Sequence, residues 1–127
     1  MSDDILQNVS RETVDRLRAF EALVQKWNPT INLVSKNDIS NLWERHILDS
    51  LQVPLICENY QKWVDIGSGG GFPGLIIAIV ALERNPSAEH VLIESDLRKC
   101  TFLRTVAREL HLNAKVITAR IEDAPRQ

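Results

Sequence analysis

The sequence predicts an α/β protein built on a parallel, doubly wound sheet with a helical cap ahead of it. Residues Trp63 to Gly74 read W-V-D-I-G-S-G-G-G-F-P-G, a short apolar run broken by five glycines in eight positions. The apolar segment Leu75 to Leu82 follows at once, so the order is buried strand, tight turn, helix. Two further strand-like runs, His90 to Ile93 and Lys115 to Thr118, alternate with a helical pattern over short connections. That alternation is the mark of βα units and a parallel sheet.

Each element has its own signal. Ser10 can cap a helix running to about Trp27, whose apolar positions Val14, Leu17, Phe20, Leu23, Val24 and Trp27 form one stripe. Asn28-Pro29 is expected to stop it, leaving Ile31 to Val34 extended. Asp38 or Ser40 can cap a second helix through about Leu51, ending before Pro54. Residues 1–60 thus read as a helical cap and 61–127 as the sheet. Strand one is Lys62 to Ile66. The next helix starts at Pro73, whose missing N–H costs nothing in a first helical position, and runs to Glu83. After His90 to Ile93 comes a helix over Leu97 to Leu110, with Phe102, Leu103, Val106 and Leu110 facing inward. Only three strands are present, where a covered doubly wound sheet normally needs more. The chain is therefore expected to be the front half of a domain.

Bulk properties narrow the function. With 127 residues, 44% of them hydrophobic, one domain with a real core is expected. A net charge of −2 argues against a generic polyanion binder. Arg98, Lys99, Arg104 and Arg108 do make one helix locally cationic. Two distant cysteines, Cys57 and Cys100, lack metal-ligand spacing and read as free thiols of a cytoplasmic protein. The polar start M-S-D-D is no secretory signal, and no apolar run is long enough to span a bilayer.

Chemistry concentrates at the glycine loop. Its free N–H groups, with those of the following helix start, can receive negative or electron-rich ligand groups. Gly69, Gly71 and Gly74 satisfy the dinucleotide pattern G-x-G-x-x-G. Asp65, Gly67, Gly69 and Gly71 equally satisfy D-x-G-x-G-x-G, the form usual in S-adenosylmethionine-dependent methyltransferases. Glu94, closing the second strand, can accept hydrogen bonds from ribose hydroxyls in either class. Asp65 separates them, because its carboxylate suits an ammonium group and would repel a pyrophosphate.

Four segments resemble the bacterial 16S ribosomal RNA guanine-N7 methyltransferases of the RsmG or GidB type: W-N-P-T-I-N-L-V-S (Trp27 to Ser35), R-H-I-L-D-S (Arg45 to Ser50), V-D-I-G-S-G-G-G-F-P-G (Val64 to Gly74) and L-I-E-S-D-L-R-K-C-T-F-L (Leu92 to Leu103). A fifth, A-R-I-E-D (Ala119 to Asp123), fits the turn after strand three. The resemblance implies a Rossmann-like methyltransferase fold, S-adenosyl-L-methionine as cofactor, and 16S rRNA or the small ribosomal subunit as partner, without metal or membrane. It implies that Gly67, Gly69 and Gly71 line the methionine end with Phe72 close by. Glu94 and Ser95 would hold the ribose, and Ile121 and Glu122 would bracket the adenine. His46 and Asp49, one turn apart, are the candidate catalytic pair. Arg45, Arg98 and Arg120 are candidates for contacting RNA. Direct in-line methyl transfer, needing no general base, is the expected chemistry. A non-catalytic ribosome-binding module and a nicotinamide-dependent oxidoreductase are the alternatives.

Overall fold

The computed structural model describes residues 2–120. After a 3-10 helix, Ser2–Asn8, come α1 (Arg11–Ile31) and α2 (Lys36–Ser40). A π-helical stretch, Trp43–Leu48, runs directly into α3 (Asp49–Ile56). The sheet and its crossovers follow: β1 (Lys62–Ile66), α4 (Gly74–Arg84), β2 (Glu89–Glu94), α5 (Leu97–Glu109) and β3 (Ala114–Thr118).

The strands lie in the order β1-β2-β3, all parallel, with Val64 beside Val91 and Leu92 beside Val116. Both crossovers step the same way, so right-handed connections put α4 and α5 on one face. Alternation along the strands assigns Asp65, Leu92 and Val116 to that face and Val64, Ile66 and Ile117 to the other. Leu92, Leu75, Ile76, Phe102 and Leu103, all fully buried, form the core there, with Leu17 and Phe20 of α1 laid across it. On the far side Val64 and Ile66 are exposed. α1 is tied down at its start as well: Ser10 caps it through Thr13 N–H, and Glu83 at the end of α4 accepts from Ser10 N–H (2.9 Å) and Thr13 Oγ1–H (2.6 Å).

The strands and the two crossover helices lie where the pattern puts them, within a residue or so. The cap differs in three places. Asn28-Pro29 does not stop α1; Pro29 lies inside its last turn, and the helix ends at Asn32, left-handed at φ 53°. Proline costs one helical hydrogen bond there. Burial of Ile31 offsets that cost, as does the Asn28 side chain, whose Oδ1 accepts from Val34 N–H (2.8 Å). The extended segment is correspondingly shorter than Ile31 to Val34. The second helix is split: Ser35, not Asp38 or Ser40, caps the short α2. The later helix runs through Pro54, whose ring is buried beside Leu51. At both prolines the local breaker rule lost to burial.

At the amino ends of the strands His90, 2% exposed, is held neutral. Its Nδ1–H donates to the Asn113 carbonyl (2.9 Å), which leaves Nε2 to accept from Tyr60 Oη–H (2.8 Å). Burial lowers the His90 pKa, countered in part by the Asn113 bond, and burial pushes the Tyr60 hydroxyl up to about 12. A base whose folded pKa is depressed contributes its full stability above its unfolded pKa, about 6.5, and loses it as pH falls below that value. The thermal midpoint should therefore decline from pH 7.5 to pH 5 more steeply in the wild type than in His90→Asn. Parallel profiles would show that His90 is not a source of the acid sensitivity.

Candidate cofactor site

Four of the chain's five glycines lie in the loop between β1 and α4, and the fifth, Gly74, opens α4. The loop is stitched to β2 along its length. Gly67 N–H donates to the Ile93 carbonyl (2.7 Å), and Gly71 N–H closes a turn on the Ser68 carbonyl (2.7 Å). Gly69 N–H donates to Glu94 Oε1 (2.7 Å). The second oxygen of Glu94 accepts from Asp96 N–H (3.0 Å), which aligns the start of α5. The Glu94 carbonyl in turn receives Ala119 N–H (3.0 Å) and the Cys100 thiol (3.3 Å). One acidic residue thus fastens the glycine loop, the start of α5 and the segment after β3. Each of its carboxylate oxygens keeps a lone pair for a further donor.

Beside it, Ile66, Gly67, Ile93, Ser95 and Ala119 line a cleft of about 250 Å³ at the carboxyl ends of the strands. Gly67 has φ +70°, and a Cβ there would project into open space, with no atom within 4 Å. A side chain at this position would be strained, and it would occupy the room a ligand needs.

Gly74 has the opposite reason to be glycine. A Cβ would sit 2.5 Å from Leu92 Cδ2 and closer still to Asp65 Oδ2. Asp65 therefore tucks its carboxyl under the first turn of α4. Burial raises its pKa, and bonds from Ser68 and the Gly74 amide pull it back only in part. Its Oδ2 is buried with no aligned hydrogen-bond partner among the described residues.

The other expected site residues divide. Gly67 and Ser95 line the cleft; Asp65, Gly69, Gly71, Phe72 and Glu94 are not among its lining residues. Phe72 faces the cap, 5.3 Å from the Phe20 ring and 5.1 Å from His46. His46 is not paired with Asp49, which is exposed; its Nε2 lies 3.1 Å from Asp38 Oδ2, close but poorly aligned for a hydrogen bond. The His46 contact holds the Asp38 carboxyl below its ordinary value. Arg45 lies 3.9 Å from Asp38 Oδ1, on the cap rather than at the cleft. Arg98 and Arg120 are exposed, and Ile121 and Glu122 lie outside the described residues. Sequence reading missed Ala119, which acts through its main chain, and the Asp38–His46 contact, which spans two helices. Neither leaves a side-chain motif to find.

Three parallel strands with a glycine loop and an acidic strand end meeting at their carboxyl edge define a Rossmann-like fold of the methyltransferase type. The chain belongs to the GidB family, described as rRNA small subunit methyltransferase G, whose family model matches residues 13–127. The ribosomal RNA small subunit methyltransferase G of Ruegeria sp. (strain TM1040) is 53% identical over 120 residues, covering 94% of this chain and 58% of the relative. The protein of the same name from Parvibaculum lavamentivorans is 56% identical over 118 residues, 92% of this chain and 52% of its own length. The chain spans a little over half the length of the curated relatives it matches. A solved structure of a hypothetical protein from Thermus thermophilus aligns with 73% of this chain and 47% of its own, at 22% identity and a TM-score of 0.45.

Proposed function

We propose that this chain supplies the cofactor-holding part of a cytoplasmic, S-adenosyl-L-methionine-dependent enzyme that methylates N7 of a guanine in 16S ribosomal RNA. The observation that carries the reading is the 2.7 Å bond from Gly69 N–H to Glu94, which puts the glycine turn and the acidic strand end within reach of one nucleoside. Family membership supports it, and so does the fit of the residues. The open Gly67 and the cleft beside it leave room for the cofactor's methionine end. In this reading the Asp65 carboxyl, tucked under the first turn of α4, lends negative potential to the methionine end from beneath the loop. Glu94 and Ser95 face the ribose in this reading, while Ile121 and Glu122 flank the adenine.

When bound, the sulfonium nucleoside supplies an electrophilic methyl group. The chain's own work is positioning. Its loop amides and Glu94 fix the nucleoside, and the packed cap behind Phe72 keeps water from the loop's rear. Guanine N7 has a lone pair and no proton to lose, so alignment within about 3 Å suffices and no side chain need act as a base. His46, wedged between Asp38 and Phe72, braces the loop in this scheme, and Asp49 has no proton to move. The reaction calls for no metal ion, and the small ribosomal subunit is the partner.

Calorimetry with S-adenosylmethionine and with NAD tests the cofactor: binding of the first alone is expected, and a preference for NAD would overturn the assignment. Transfer of labelled methyl to unmodified small subunits tests the activity.

A further inference from the structure

A second cleft lies on the helical flank, away from the glycine loop. It occupies about 420 Å³ between the end of α1 and the start of α5, and Lys26, Trp27, Thr30, Ile31, Arg98 and Thr101 line it. That volume is in the range of small-molecule sites. The floor is apolar: Ile31 is 5% exposed, and the Trp27 ring is held edge-on against Phe102 at 5.6 Å. The rim is cationic. Lys26 and Arg98 are both exposed, and the guanidinium of Arg98 makes no hydrogen bond among the described residues. None of the six lining residues is acidic, although the chain as a whole carries net charge −2. Thr101 donates its hydroxyl to the Leu97 carbonyl (3.1 Å), so its oxygen is free to accept.

A fixed aromatic ring, two cations on the rim and hydroxyl acceptors together match one ligand chemistry: a flat base carrying a phosphodiester on either side. Arg98 lies three residues beyond Ser95, which lines the cofactor cleft, so the two clefts lie on either side of the start of α5 in sequence. We infer that this flank cleft docks an unpaired nucleotide of the RNA near the target base, with Trp27 against the base and Lys26 and Arg98 on its phosphates. The inference rests on the RNA-methylating reading above and adds where the RNA is gripped.

The test uses the whole chain and a guanine-containing single-stranded RNA of about 12 nucleotides, within the span such surfaces cover. Lys26→Gln with Arg98→Gln should weaken RNA binding about tenfold or more and lower the salt dependence of log K by between one and two units. Trp27→Leu should weaken binding about fivefold or more with the salt slope unchanged, and Trp27→Phe should restore most of it. Both cations are exposed, so that double variant is expected to fold. Affinity for S-adenosylmethionine should stay within about twofold in every variant; a parallel loss would trace the effect to the cofactor cleft and overturn the inference. RNA binding that is intact in the double variant would overturn the cleft while leaving the RNA reading in place. No RNA binding by the wild type would remove both. Equal competition per charge by polyglutamate would show a generic anion surface instead of a nucleotide site.

Discussion

Glu94→Ala should weaken S-adenosylmethionine binding by at least about a hundredfold. The side chain is only 8% exposed and accepts two backbone N–H bonds, from Gly69 and Asp96. Hydrogen bonds to a charged group are worth roughly 1.5–3 kcal/mol each, and about 2.7 kcal/mol is a hundredfold in affinity. Truncation removes the proposed ribose acceptor and also frees the loop and the start of α5 from each other. Glu94→Gln separates the two effects. An amide can still accept from one N–H, but it turns a donor toward the other, so the loop should be partly held and binding still impaired. Calorimetry on both variants, with circular dichroism to confirm folding, is the measurement. A Glu94→Ala protein that binds within about fivefold of wild type would mean that the strand end has no part in holding the cofactor.

Gly74→Ala should be among the most damaging single methyl additions in the chain. It lands 2.5 Å from Leu92 Cδ2, a fully buried core atom, and against the Asp65 carboxyl. Neither neighbour has room to retreat, because one belongs to the core and the other is trapped beneath α4. Overpacking of this kind costs about 1–3 kcal/mol. A fall of roughly 5–15 °C in the thermal midpoint is expected for a domain of this size. Asp65→Ala in the same protein should recover part of the loss, since it clears one of the two obstructing groups. Additive effects of the two substitutions would show that Asp65 and Gly74 do not meet.

The sheet half was legible because its signals are local and agree with one another. Five glycines end β1, apolar runs mark β2 and β3, and Asp96 caps α5 by accepting from Arg98 and Lys99 N–H. The cap was harder to read because tertiary burial overrides its local signals. Pro29 and Pro54 both read as helix ends, yet each is carried inside a helix beside a buried residue, Ile31 in one case and Leu51 in the other. Of the site, the glycines and Glu94 could be placed from spacing alone, since β1 and β2 are adjacent parallel strands. The partner of His46 could not. A turn-spaced pair on one helix, His46 and Asp49, looked natural, but the ring reaches another helix, to Asp38, and so depends on how the cap folds.

The two sulfurs of the chain sit in opposite circumstances: Cys57 is exposed, while Cys100 is sealed beneath the carbonyl of Glu94. An alkylating reagent will find the first at once and must wait for the second until the strand end lifts. The lag between the two modifications is thus a built-in clock for opening of the proposed cofactor cleft, read by mass spectrometry without any introduced label, and bound S-adenosylmethionine should slow it.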